Sequence, residues 1–180
     1  MNNSIDLVAM LGNLSRSLFP VQHLITGLAY LIGIAFFMVA IAKFKKIGES
    51  AGRGSQEKMF GPLAFLLGGA ALVFLPSGVK FLENTTFGVG NVLSYTNYNP
   101  YNIYSSMGLI IQTAGVIWFI RGCVLLVGAS SPGVQHGPKG LAFLFAGILA
   151  VNFQGTAAFL STVMEHLESL TMTIKNSQGY

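Results

Sequence analysis

Four stretches of the chain carry almost no charge, and each is long enough to cross a bilayer. Residues 24–42 are uncharged and end in Lys43, Lys45 and Lys46; residues 61–79 are uncharged and end in Lys80. Residues 107–129 are apolar apart from Arg121, and residues 140–164 carry no charge at all. Crossing about 30 Å of hydrocarbon takes about 20 helical residues at ~1.5 Å each. Inside lipid the backbone amides find partners only within a helix or a closed barrel, so blocks of this length are expected to be helical. The expectation is an all-α membrane protein with four transmembrane helices. The second block contains Pro76-Ser77-Gly78, where a kink or early end is expected. Asn152, Gln154 and Gly155 lower the insertion tendency of the fourth.

Composition agrees. Of 180 residues, 52% are hydrophobic and 9% charged, against about a quarter charged in soluble domains. The mean hydropathy is +0.62. A net charge of +4 invites a nucleic-acid reading, but most of the ten basic residues sit beside apolar blocks, as membrane anchors do. Nucleic acid is therefore not an expected partner. The one cysteine, Cys123, lies inside an apolar block and forms no intrachain disulfide.

Orientation follows from the basic residues. Lys43, Lys45, Lys46, Arg53 and Lys58 separate the first two blocks, and Lys139 separates the last two. The opposite side holds Arg16, Lys80 and Lys175. The positive-inside rule puts the 43–60 and 130–139 loops in the cytoplasm, with both termini and residues 80–106 outside. Residues 1–15 hold no Lys or Arg and no A-x-A cleavage pattern follows, so the first span is expected to be retained. Within residues 1–23, Leu7, Leu11, Leu14 and Leu18 recur at helical spacing opposite Asp6, Asn13, Arg16 and Ser17, with Pro20 as a closing residue. This segment reads as an interfacial amphipathic helix or as a lead-in to the first span. Residues 24–164 form the transmembrane domain and 165–180 a polar tail.

Leu63-Ala64-Phe65-Leu66 recurs as Leu141-Ala142-Phe143-Leu144, 78 residues on, and the stretch from Gly33 to Phe37 resembles that from Gly115 to Phe119, 82 residues on. Two repeated hairpins are one explanation; coincidence within the small alphabet of membrane segments is the other.

Candidate chemistry is sparse. Arg121 is the one charge deep in a span, either functional or snorkelling toward the cytoplasmic edge. Asn152 and Gln154 are intramembrane polar residues suited to interhelical bonds or to a polar path. Ala29 with Gly33, Ala64 with Gly68, and Ala142 with Ala146 and Ala150 form small-residue faces for close packing. Tyr95, Tyr98, Tyr101 and Tyr104 recur every third residue among asparagines, either as an outer aromatic belt or as a docking surface for partners. No P-loop or GxSxG sequence, haem-ligand pair or zinc cluster is visible, so no cofactor, metal or catalytic residue is expected. Glu165, His166 and Glu168 read as a solvated helix end.

Several polar stretches together carry a family resemblance. They include Gly12-Asn13-Leu14-Ser15-Arg16-Ser17-Leu18, Pro20-Val21-Gln22-His23-Leu24-Ile25-Thr26-Gly27 and Ser55-Gln56-Glu57-Lys58-Met59-Phe60. Asn84-Thr85-Thr86-Phe87-Gly88-Val89-Gly90-Asn91, Asn102-Ile103-Tyr104-Ser105-Ser106-Met107-Gly108-Leu109, Arg121-Gly122 and Gly133-Val134-Gln135-His136-Gly137-Pro138-Lys139-Gly140 belong to the same set. From about residue 12 to 165 the chain resembles the IcmC/DotE family of inner-membrane proteins, found in Dot/Icm type IVB secretion systems and related conjugation machines. The resemblance implies a non-enzymatic subunit of a virulence apparatus that moves effector proteins into host cells, with other membrane subunits, the lipid bilayer and a second copy of itself as expected partners. A small oligomeric channel or transporter, with Arg121, Asn152 and Gln154 lining a polar path, is the alternative.

Overall fold

A computed structural model describes residues 3–50, 59–87, 102–131 and 133–177. Every element among them is helical: α1 (Asn3–Ser50), α2 (Phe60–Val73), α3 (Leu75–Phe87), α4 (Ile103–Ala129), α5 (Gly137–Val151) and α6 (Phe153–Ser177). By length and composition, two helices suffice to cross a membrane, α1 over Val8–Glu49 and α4, or up to four if each bent pair is one crossing. The all-α membrane class is thus what the structure has, while the count of crossings lies between two and four.

α1 pairs with α2 and α4 pairs with α5 as two antiparallel hairpins, joined chiefly through α1 against α4. The direction of that joint is set by two bonds. Ser15 Oγ donates to Ser106 Oγ (3.3 Å), and Gln22 Nε2 donates to Thr113 Oγ1 (2.7 Å), both 91 residues apart in sequence. Both partners advance by seven residues together, so α1 and α4 run parallel and meet along a two-turn repeat. These ties flank Pro20, which lies inside α1 and does not end it. A proline removes one backbone bond and crowds the carbonyl four residues back; here the chain is clamped to α4 on both sides. Of the two readings of this segment, an interfacial helix or a lead-in to the first span, the continuous course of α1 agrees with the lead-in: one helix of 48 residues, about 72 Å long.

The two hairpins make similar close contacts at matching positions. A Cβ on Gly33 would lie 2.9 Å from both the Gly69 carbonyl oxygen and the Val73 nitrogen; one on Gly115 would lie 2.9 Å from the Gly147 carbonyl oxygen and 2.8 Å from the Val151 nitrogen. Gly33 and Gly115 differ by 82 residues, Gly69 and Gly147 by 78, as do Val73 and Val151: the offsets seen in the sequence. The same positions that match in sequence make the same contact in space.

The repeat extends to the breaks. α2 turns by 97° into α3, and α5 by 95° into α6. Phe74 and Asn152, again 78 residues apart, stand at the corners. Each donates to the carbonyl four residues before it, and each accepts from the amide four residues after it, Gly78 at 2.7 Å and Thr156 at 2.8 Å. The second block thus bends two residues ahead of Pro76, which occupies the first turn of α3, where proline costs little. The fourth block, expected as one span over 140–164, bends at Asn152. Where the pieces meet, Ala29, Leu72, Leu75, Val79, Phe119, Cys123, Ile148 and Val151 form a buried core. The outward surface is apolar too: Leu24, Leu28, Leu31, Met38 and Ile41 of α1 are all exposed, as lipid-facing residues are.

Candidate functional site

The intramembrane residues singled out by the sequence do not converge. Asn152 is 1% exposed at the α5–α6 corner. Its Oδ1 accepts from the Gly155 amide at 2.9 Å, which caps α6, while the Thr156 hydroxyl donates to the Leu149 carbonyl at 2.8 Å, a group the bend deprives of its helical partner. The two corners therefore bend by different chemistry, one with a proline that has no amide to place, the other with an asparagine that replaces the missing backbone bond. The remaining amide of Asn152, Nδ2, is buried without a hydrogen-bond partner.

Gln154 is exposed on the first turn of α6. Arg121 is also exposed, its guanidinium carbon 5.1 Å from the centre of the Phe143 ring. Asn152 lies level with Gly115, six residues before Arg121, so the two polar groups are separated by about 10 Å along the hairpin. The first hairpin has a counterpart: Lys43 Nζ sits 4.7 Å from the centre of Phe65, the repeat equivalent of Phe143, and Phe65 in turn meets Phe36 edge to face. Each hairpin thus places a cation on the equivalent aromatic ring, but in the register of the repeat Lys43 lies four residues, about one turn, beyond the position that matches Arg121.

Of the four tyrosines, Tyr104 lies in the first turn of α4 and is 82% exposed, its amide bonded to the capping Asn102 side chain. Tyr95, Tyr98 and Tyr101 lie outside the described residues. Glu165, His166 and Glu168 are exposed on α6. Among the described residues no group of three or more His, Cys, Asp or Glu is arranged to hold a metal.

The small-residue faces hold in part. Ala29 is fully buried, and Gly68 packs against Val127. On α5 the contact runs through Gly140 and Gly147, with Ala150 beside Gly115, while Ala142 is exposed. Sequence reasoning missed the Ser15–Ser106 and Gln22–Thr113 ties. Their signal was present as polar residues at one seven-residue interval in two helices, but it has meaning only once α1 and α4 are known to be neighbours.

The class so defined is an all-helical protein whose apolar helices are compatible with a bilayer. Compared with known proteins, the chain matches no family model, no curated protein and no solved structure.

Proposed function

We propose that this chain is a non-enzymatic structural subunit in the inner membrane of a type IVB (Dot/Icm) secretion apparatus, which moves effector proteins into host cells. The observation that carries the structural part is how the intramembrane glycines and polar residues are used. Gly33 against Gly69 and Gly115 against Gly147 bring backbones together, and Ser15, Gln22, Ser106 and Thr113 join the two hairpins. These residues serve packing, as a structural subunit requires. The resemblance of the polar stretches to IcmC/DotE proteins supplies the apparatus. In this reading each bent pair counts as one crossing, giving four, with the 43–60 and 130–139 loops cytoplasmic and the termini and the 80–106 loop periplasmic. The segment from Tyr95 to Tyr104 then faces periplasmic partners.

The test is affinity purification of the tagged, chromosomally expressed protein in mild detergent. Other secretion-system membrane subunits co-purify, and replacing Tyr95, Tyr98, Tyr101 and Tyr104 by Ser removes them. Recovery of this chain alone refutes the reading. A small channel or transporter is the second reading, favoured by the unpaired Asn152 amide at the corner of a broken helix, where carriers place their substrate sites. It requires that liposomes holding the purified chain conduct, and that Arg121→Gln or Asn152→Ala alters the flux; electrically silent liposomes exclude it.

A further inference from the structure

We propose that Arg121 and Lys139 form a docking point for the phosphate of an anionic phospholipid, at the end of the α4–α5 hairpin that carries the 130–139 loop. The inference rests on the membrane reading above and is independent of the secretion apparatus.

Arg121 is exposed on the outside of α4, eight residues before its end, and therefore about 12 Å of helix from the loop. It makes no hydrogen bond or ion pair among the described residues; its one recorded neighbour is the Phe143 ring. A guanidinium carries five N–H donors in a planar fork, and leaving them without acceptors beside hydrocarbon is costly. Its own hairpin offers no carboxylate to fill the gap. Asp6, Glu49, Glu57, Glu83, Glu165 and Glu168 are all its acidic residues, and none falls within residues 107–164. An acceptor from outside the chain fits this arrangement.

Lys139 fixes what that acceptor is. It is exposed in the first turn of α5, four residues before Phe143 and hence on the same helix face one turn nearer the loop. Arg121 beside the Phe143 ring and Lys139 one turn nearer the loop therefore flank one stretch of the hairpin surface, which in the membrane reading snorkelling brings within reach of a headgroup. One flank supplies a bidentate fork suited to phosphate, the other a mobile point charge. One turn further from the loop, on the face of α4 that carries Arg121, Ile117 and Trp118 are exposed and apolar, a surface for acyl chains. Two positive charges within reach of the headgroups and next to an apolar wall match a lipid whose headgroup is net negative better than one that is zwitterionic.

Lipid retention by the full-length purified chain tests this, using native mass spectrometry from detergent with phosphatidylglycerol or phosphatidylcholine of the same acyl chains. The expected result is preferential retention of phosphatidylglycerol. The preference falls about fivefold in Arg121→Gln and about fivefold in Lys139→Gln, as for loss of one charge near a charged surface. Arg121→Lys keeps part of it, and Lys175→Gln leaves it unchanged. If Arg121→Gln does not fold, Lys139→Gln and Arg121→Lys carry the test. Equal retention of the two lipids by the wild type, or an unaltered preference in both the Lys139 and Arg121 variants, overturns the proposal. So does displacement of the lipid by excess inorganic phosphate, which would identify a free-anion site. The assay is made in detergent, so an inverted membrane orientation or a failed pull-down does not affect it.

Discussion

At the scale of single residues, Gly33, Gly69, Gly115, Gly122, Gly140 and Gly147 set how closely the helices approach. A methyl group on Gly147 would lie 2.6 Å from the Phe119 nitrogen and 2.8 Å from the Gly115 carbonyl oxygen, both backbone atoms that move only with their helix. Gly147→Ala therefore forces α4 and α5 apart and is expected to cost about 1–3 kcal/mol, the usual range for overpacking. Gly27 and Gly108 lie in helices with nothing within 4 Å of an added Cβ, and there alanine is expected to be neutral or to stabilise by up to about 1 kcal/mol. Thermal unfolding in detergent reads both. Equal losses at Gly27 and Gly147 would mean that the close approach is not what holds the hairpin. The lock at Gly33 was visible in the sequence as a small-residue pair with Ala29. Its partner Gly69 was one residue from the expected Gly68, because spacing alone cannot say which of two adjacent glycines faces the neighbour.

At the scale of the element, the corners at Phe74 and Asn152 are alike in angle and unlike in cause. Asn152 caps α6 with one half of its amide and leaves the other half buried and unpaired. Asn152→Ser keeps an acceptor for the Gly155 amide and deletes the orphaned donor, so stability is expected to hold or rise by about 1 kcal/mol. Asn152→Leu removes the cap and is expected to lose about 1 kcal/mol. A stabilising leucine would show that the capping bond is dispensable. Sequence reading placed polar or helix-breaking residues in both blocks but expected the second to kink at Pro76-Ser77-Gly78 and the fourth to run straight to residue 164. The bend depends on which carbonyls the neighbouring helices leave open, and that is tertiary information. The same holds for Pro20, which reads locally as a stop and is overridden by the ties of Ser15 and Gln22 to α4.

At the scale of the whole molecule, the repeat was legible because it consists of short matching strings, and the structure adds that the matched glycines, valines and corners coincide. The arrangement of the repeats was less legible, since the α1–α4 joint depends on residues 91 apart that show no resemblance. Orientation is tested with cysteines introduced into a Cys123→Ser background. Cysteines at Gly133 and Arg53 are expected to label from the cytoplasmic side, and one at Lys175 from the periplasm. Labelling of position 175 from the cytoplasm would mean that α5 and α6 together fail to cross. The intramembrane polar residues were also legible as types, but not as a site, because their separation along the hairpin follows from helix pairing.

The two corners have a consequence for the surrounding lipid. α2 and α5 are 14 and 15 residues long, so each rises only about 21–23 Å before the chain turns aside. Hydrocarbon is about 30 Å thick, and a mismatch of this size costs a fraction of a kcal/mol per Å. If each bent pair is one crossing, α2 and α5 fall short by the same amount on the same side, and the leaflet there is expected to sink toward the two corners, leaving a dimple over the protein. α6, about 37 Å long and turned away from the hairpin axis, would then lie along the slope of that depression, its exposed Leu160, Leu167 and Ile174 taking up apolar contacts that a flat membrane surface would offer only at greater depth.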